Sequence, residues 1–276
     1  MGAYLRPRHL EDALAALGRP HTVLAGGTDF YPARVGQPVT EDVLDIGGIA
    51  SLRGIVATES GWRLGATTTW SDLIEAELPP LFDGLKQAAR EVGGRQIQNV
   101  GTVAGNFCNA SPAADGVPCL LTLDAEIEIA GQQGHRSLPL SRFIVGARRT
   151  ALMPGELVVA IHVPRPQHEA RSGFLKLGAR RYLVISIAMA AATLEYAGGA
   201  VTRARIAVGA CSAVAQRLPL LEAALRGATD ASSLADRAHP AHLAPLSPID
   251  DVRGSGAYRI DAAMTLLRRL LRSVAP

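Results

Sequence analysis

Cysteine is scarce in this chain of 276 residues: Cys108, Cys119 and Cys211 are the only three, and no two of them have CxxC spacing. Such a set supports neither a disulfide framework nor a cysteine-ligated zinc or iron–sulfur centre, and it points to a reducing, cytoplasmic setting. Aromatic residues amount to 4%. The arginine pairs Arg148/Arg149, Arg180/Arg181 and Arg268/Arg269 are scattered along the chain, whereas a nucleic-acid surface needs clustered cations with exposed aromatics. Charge of one sign is also missing, since 28 basic against 25 acidic residues leave a net +3. No apolar run reaches the ~20 residues of a membrane span, and residues 1–18 carry Arg, Glu and Asp where a secretory signal has an apolar core. GxSxG, HExxH and the P-loop are all absent, so covalent hydrolysis and Walker-type phosphoryl transfer have no support.

The remaining composition, 48% hydrophobic and 19% charged, reads as a compact globular chain long enough for two domains. Leu10, Leu14 and Leu17 stand at helical spacing and stop at Gly18. "HTVLA" is a short buried strand, and "VLDI", "LRGIVAT" and "GWRLGAT" are further short β runs. "TTTWSDLIEAE" begins with threonines suited to an N-cap, and "PPLFDGLKQAAREVGG" is a second helix with Pro80 near its start. Residues 99–116 read as the longest irregular stretch of the first half, followed by a short helix in "VPCLLTLD" and a strand in "AEIEIAG". After the strand in "ELVVAIHVP" comes a hinge-like "PRP", then three β segments of a small sheet and two helices, with a domain boundary near residue 170.

Two glycine motifs carry chemistry. In "AGGTDF", residues 25–30, the paired Gly26 and Gly27 require either φ > 0 or a backbone free of side chains. A tight turn explains them; so does a nest of bare N–H groups from Gly26 to Asp29 around an anion, aided by the start of a short following helix. "GTVAGN", residues 101–106, repeats the device, with Gly101 and Gly105 flanking Thr102 and the small Ala104 leaving the main chain open. A diphosphate suits two cradles. "NASPAAD" adds Ser111 and Asp115, which either bind sugar or ribityl hydroxyls or merely cap the next helix. His239 and His242 in "HPAH" lack a third metal ligand nearby and read as surface histidines.

Taken together, "YLRPRHLEDAL", "AGGTD", "GTVAGNFCNASPAAD", "GARRTALMPGELVVAIHVP", "FLKLGARRYLVISIA" and "DVRGSGAYRIDAAMTLLRRLL" span nearly the whole chain. In this order they resemble the FAD-binding subunit of molybdenum hydroxylases, the family of the carbon monoxide dehydrogenase medium subunit and the flavin portion of xanthine dehydrogenase. The resemblance implies an α+β fold of vanillyl-alcohol-oxidase/PCMH type. A domain over residues 1–170, with subdomains of about 1–56 and 57–170, would grip FAD, and residues 171–276 would form a carbon monoxide dehydrogenase flavoprotein-like C-terminal domain of antiparallel sheet and helices. Carried onto matching positions, Val23, Leu24, Ala25, Gly26, Gly27, Thr28, Asp29 and Phe30 would wrap the pyrophosphate from one side. Thr102, Val103, Ala104, Gly105 and Asn106 would wrap it from the other, with Ser111 and Asp115 toward the ribityl end and Val158 and Lys176 near the isoalloxazine. Ala104-Gly105-Asn106 departs from the frequent Gly-Gly-Asn, and Val92 stands where some relatives have an aromatic near adenine.

The same resemblance implies partners: a large subunit with the molybdopterin cofactor, a small subunit with two [2Fe–2S] clusters, and a doubled heterotrimer; the composition adds a cytoplasmic setting without nucleic acid or membrane span. FAD would then pass electrons from the clusters to an acceptor. Two other readings stay open, a self-contained flavoprotein oxidoreductase of the same fold and a non-catalytic nucleotide-binding protein.

Overall fold

In the computed structural model, which describes residues 2–275, the chain opens with a small α/β lobe. Strand β1 (Tyr4–Leu5) leads through helix α1 (Leu10–Ala16) to β2 (Thr22–Leu24) and β3 (Val43–Asp45), which pair in parallel in the order β1-β3-β2. Ala13 of α1 is fully buried, and Leu10, Leu14 and Leu17 pack around it as their spacing dictates.

A larger unit follows. The hairpin β4 (Ile55–Ala57) and β5 (Gly61–Gly65) precedes helices α2 (Trp70–Glu75), α3 (Asp83–Glu91), α4 (Arg95–Gln98), α5 (Val103–Cys108) and α6 (Gly116–Thr122). Then come β6 (Glu126–Gly131), β7 (Gly134–Pro139), the short helix α7 (Leu140–Phe143), the ribbon of β8 (Ile144–Gly146) and β9 (Arg149–Thr150), and β10 (Leu157–Pro164). Five of these strands form an antiparallel sheet in the order β4-β5-β10-β6-β7, so the last strand in sequence lies at the centre.

That central position explains why "LVVAIHV" is apolar without strict alternation: both faces are covered. Leu157 and Val159 join Leu44, Ile46, Ile49 and Leu52 of the first lobe in one core. Ile161 and Val163 join Leu64, Trp70, Leu85 and Phe107 in another, beneath the helices. Residues 99–116 are irregular only in part: 99–102 and 109–115 are turn and loop, while 103–108 form α5. Thr102 caps α5, its Oγ1 accepting from the Gly105 N–H at 3.0 Å, and tertiary packing overrides the weak helix propensity of "VAGNFC".

The C-terminal part is an antiparallel meander of β11 (Glu169–Leu177), β12 (Ala188–Ala197), β13 (Ala200–Gly209) and β14 (Gln216–Arg217). Gly198 and Gly199, at φ 59° and 77°, make the β12–β13 turn, which needs φ > 0 at both positions. Helices α8 (Pro219–Leu225), α9 (Ala231–Asp236) and α10 (Gly256–Ser273) cover the sheet with a leucine-rich core of their own. This meander abuts α3 so closely that a Cβ on Gly84 would lie 2.9 Å from the Gly173 carbonyl. Ser172 Oγ donates to the Leu81 carbonyl at 2.7 Å and accepts from the Gly84 N–H at 2.8 Å.

Candidate functional site

A cleft of ≈ 560 Å³ opens between the first lobe and the central sheet. One wall is the chain leaving β2. The strand ends at Leu24, and the next residues turn instead of pairing. Gly27 sits at φ 73°, where a Cβ would also strike the Tyr31 ring at 2.7 Å. Gly26 has a different reason to be bare, because a Cβ there would lie 2.0 Å from the carbonyl oxygen of Val100. The consequence is a run of exposed donors: the N–H groups of Gly26, Gly27, Thr28 and Asp29 find no acceptor among the described residues. Consecutive unsatisfied amides facing a cleft form an anion-binding nest.

Another wall is built by two capped helices joined at their N-terminal ends. Thr69 caps α2 and Thr102 caps α5, and the two threonines form an antiparallel bridge. The Trp70 N–H donates to Gly101 at 3.1 Å and the Val103 N–H to Thr68 at 3.0 Å. Ala104, in the first turn of α5, keeps an unpartnered N–H among the described residues and lines the cleft beside Gly105 and Asn106. Asn106 Oδ1 accepts from the Gly116 N–H at 3.2 Å, tying α5 to α6. Apolar side chains, among them Leu24, Ile46, Val92, Ile97 and Val158, complete the lining. Cys108 joins them, with burial pushing its thiol up to about 12.

The cleft therefore brings together Val23 to Phe30, Thr102, Ala104, Gly105, Asn106 and Val158. Val103 is fully buried behind it. Ser111, Asp115 and Lys176 are not among its lining residues. Asp115 and Lys176 instead meet each other at 2.7 Å, with side chains 9% and 5% exposed. Ser186 Oγ donates to the second Asp115 oxygen at 2.6 Å. Burial pushes the Asp115 carboxyl above its ordinary range, opposed by Lys176 and then by the Ser186 hydroxyl. Gly105, expected in an open loop, is helical and needs no positive φ.

Sequence reasoning missed Arg34, Trp70, Asn109 and Glu156, which also line the cleft. Arg136 holds Glu156 through two oxygens at 2.6 Å each and keeps its carboxyl below the usual range. His239 and His242 do not meet a third ligand; the His239 N–H donates to His242 Nδ1 at 3.1 Å within a single turn. Among the described residues no group of His, Cys, Asp and Glu is placed to hold a metal ion, and no helix is long and apolar enough to cross a membrane.

Comparison with known proteins decides what kind of cleft this is. Residues 1–166 match the FAD binding domain in molybdopterin dehydrogenase, and residues 174–274 match the CO dehydrogenase flavoprotein C-terminal domain. The chain belongs to the FAD-binding subunits of the molybdenum hydroxylase family. The xanthine dehydrogenase FAD-binding subunit of Escherichia coli O157:H7 is 30% identical over 275 residues, covering 98% of this chain and 94% of that one. The carbon monoxide dehydrogenase medium chain of Afipia carboxidovorans is 31% identical over 279 residues, covering 96% and 94%. Among solved structures, carbon monoxide dehydrogenase from Hydrogenophaga pseudoflava superposes with a TM-score of 0.87 at 29% identity, covering 99% of this chain and 96% of that one. Quinoline 2-oxidoreductase from Pseudomonas putida 86 does so at 0.89 and 25% identity, with the same coverage. This FAD-binding subunit is thus a component of an oxidoreductase. Its cleft fits the cofactor on local grounds too: a dinucleotide diphosphate needs donors without competing partners, and Gly26 to Asp29 supply them, with Ala104 in the same lining.

Proposed function

We propose that this chain is the electron-transferring flavoprotein of a molybdenum enzyme with two further subunits, one carrying the molybdopterin cofactor and one carrying [2Fe–2S] clusters. The observation that carries the proposal is the row of unpartnered amides from Gly26 to Asp29, in the cleft that Ala104 also lines. Those amides hold the diphosphate, while Leu24, Ile46, Val92, Ile97 and Val158 exclude water from the rest of the ligand. FAD supplies a carrier that joins one-electron donors to a two-electron acceptor. The chain's residues contribute position and electrostatics, and oxidation of the organic substrate belongs to the molybdenum subunit. Residues 1–170 form the binding domain in this reading, residues 171–276 form the C-terminal domain, and the assembly is a cytoplasmic dimer of heterotrimers.

Purification of a tagged chain from its native host tests the assignment. Two co-purifying chains, molybdenum and iron by metal analysis, and FAD released on denaturation are expected. A lone metal-free chain that oxidises a small molecule by itself would favour a self-contained flavoenzyme. An assembled complex without flavin, or with FMN alone, would overturn the cofactor assignment.

A further inference from the structure

Among the described residues, Arg34 is the only cationic side chain lining the cleft, where Asp29 and Glu156 are the anions. Glu156 is paired with Arg136 and Arg34 with Glu41, both partners lying outside the lining. Asp29 is not paired in a salt bridge among the described residues. A diphosphate entering beside Asp29 adds further negative charge, which amide dipoles offset only in part.

Arg34 is prepared for that task. Its guanidinium stacks on the Phe30 ring, 3.8 Å from the centroid. Nη1 donates to the Phe30 carbonyl at 2.9 Å, Nε donates to Glu41 Oε1 at 2.7 Å, and Nη2 donates to the same oxygen. These bonds engage three of the five N–H donors that a guanidinium carries, so two remain. The fork is thereby fixed from two sides, and the short turn Pro32–Arg34 keeps it on the segment that bears the unpartnered amides. A planar, permanently charged fork with free donors matches phosphate oxygens better than an ammonium does.

We infer that Arg34 is a ligand-binding residue that donates its two remaining N–H groups to the FAD diphosphate, with Glu41 as the positioning residue that holds its fork. This rests on the FAD reading of the cleft. The full-length chain, stripped of flavin, is titrated with FAD, ADP and riboflavin at low and high ionic strength. Arg34→Ala is expected to weaken FAD and ADP about 10- to 100-fold, the size of a lost charge-assisted bond, and to flatten the salt dependence. Riboflavin, which carries no phosphate, binds Arg34→Ala as it binds the parent. Arg34→Lys keeps the charge without the fork and falls between the two; with Arg34→Gln it carries the test if the alanine variant does not fold. Unchanged FAD affinity and salt dependence, or an equal loss for riboflavin, would overturn the role of Arg34. A parent chain that binds no FAD at all would overturn the cofactor reading instead.

Discussion

The main chain at Gly26 rests on the main chain at Val100: a Cβ on Gly26 would stand 2.0 Å from the Val100 carbonyl oxygen and 2.8 Å from Gly101 Cα. The two ligand-facing loops are thus in direct backbone contact, and neither can take its position without the other. Replacing Gly26 by alanine forces them apart at a cost of about 1–3 kcal/mol, and FAD content after desalting is expected to fall sharply. Gly27→Ala adds a left-handed strain of about 1–2 kcal/mol and displaces Tyr31. At Gly105 a Cβ meets only Thr102 Oγ1, at 2.7 Å, so Gly105→Ala should retain more FAD than either. Equal flavin occupancy in the Gly26→Ala variant and the parent would refute the contact argument.

Asp115 and Lys176 join the binding domain to the meander through a buried ion pair. Removing one partner leaves an uncompensated buried charge, so Lys176→Met is expected to cost about 3–5 kcal/mol in denaturant unfolding. Asp115→Asn combined with Lys176→Met should recover part of that loss. A variant that loses FAD while keeping its stability would return the pair to direct ligand contact.

Glu156 gives a pH signature. The Arg136 hydrogen bonds, followed by the Met153 N–H among the smaller contributions, hold its carboxyl below the ordinary value against the opposing effect of burial. A carboxyl with a depressed folded-state pKa stabilises the fold above its unfolded pKa of about 4.3 and loses that contribution as the pH falls further. Glu156→Gln should therefore lower stability at neutral pH and flatten the acid limb of the stability curve. Parallel acid limbs for variant and parent would contradict the assignment.

How much of this was legible in the sequence depended on range. The paired glycines after "HTVL" and the hydroxyl of Thr102 are local signals, and both lie on the cleft. Within residues 99–116 only α5 departs from the irregular reading, because Gly and Asn have weak helix propensity while its packing depends on contacts that no local pattern encodes. Arg34 belongs to no motif of the sequence, and its place depends on Phe30 and Glu41, which the fold sets around its guanidinium. Glu156 and Val158 reach the cleft because β10 enters the sheet between β5 and β6, a pairing across many residues that composition does not announce. Trp70 was visible as a helix start after "TTT", but its place behind Gly101 depends on the Thr69–Thr102 bridge.

The two-faced β10 has a thermodynamic consequence. Leu157 and Val159 bind the first lobe, while Ile161 and Val163 belong to the core beneath the helices. The lobe can therefore peel away as a separate cooperative unit, baring one side of a strand that the other core still anchors. A ligand clasped between lobe and sheet opposes that opening in proportion to its binding free energy. Local amide-exchange protection in β2 and β3 then becomes a gauge of cofactor occupancy, whereas α10 packs in a core that contributes no residue to the cleft and gives no local readout of it.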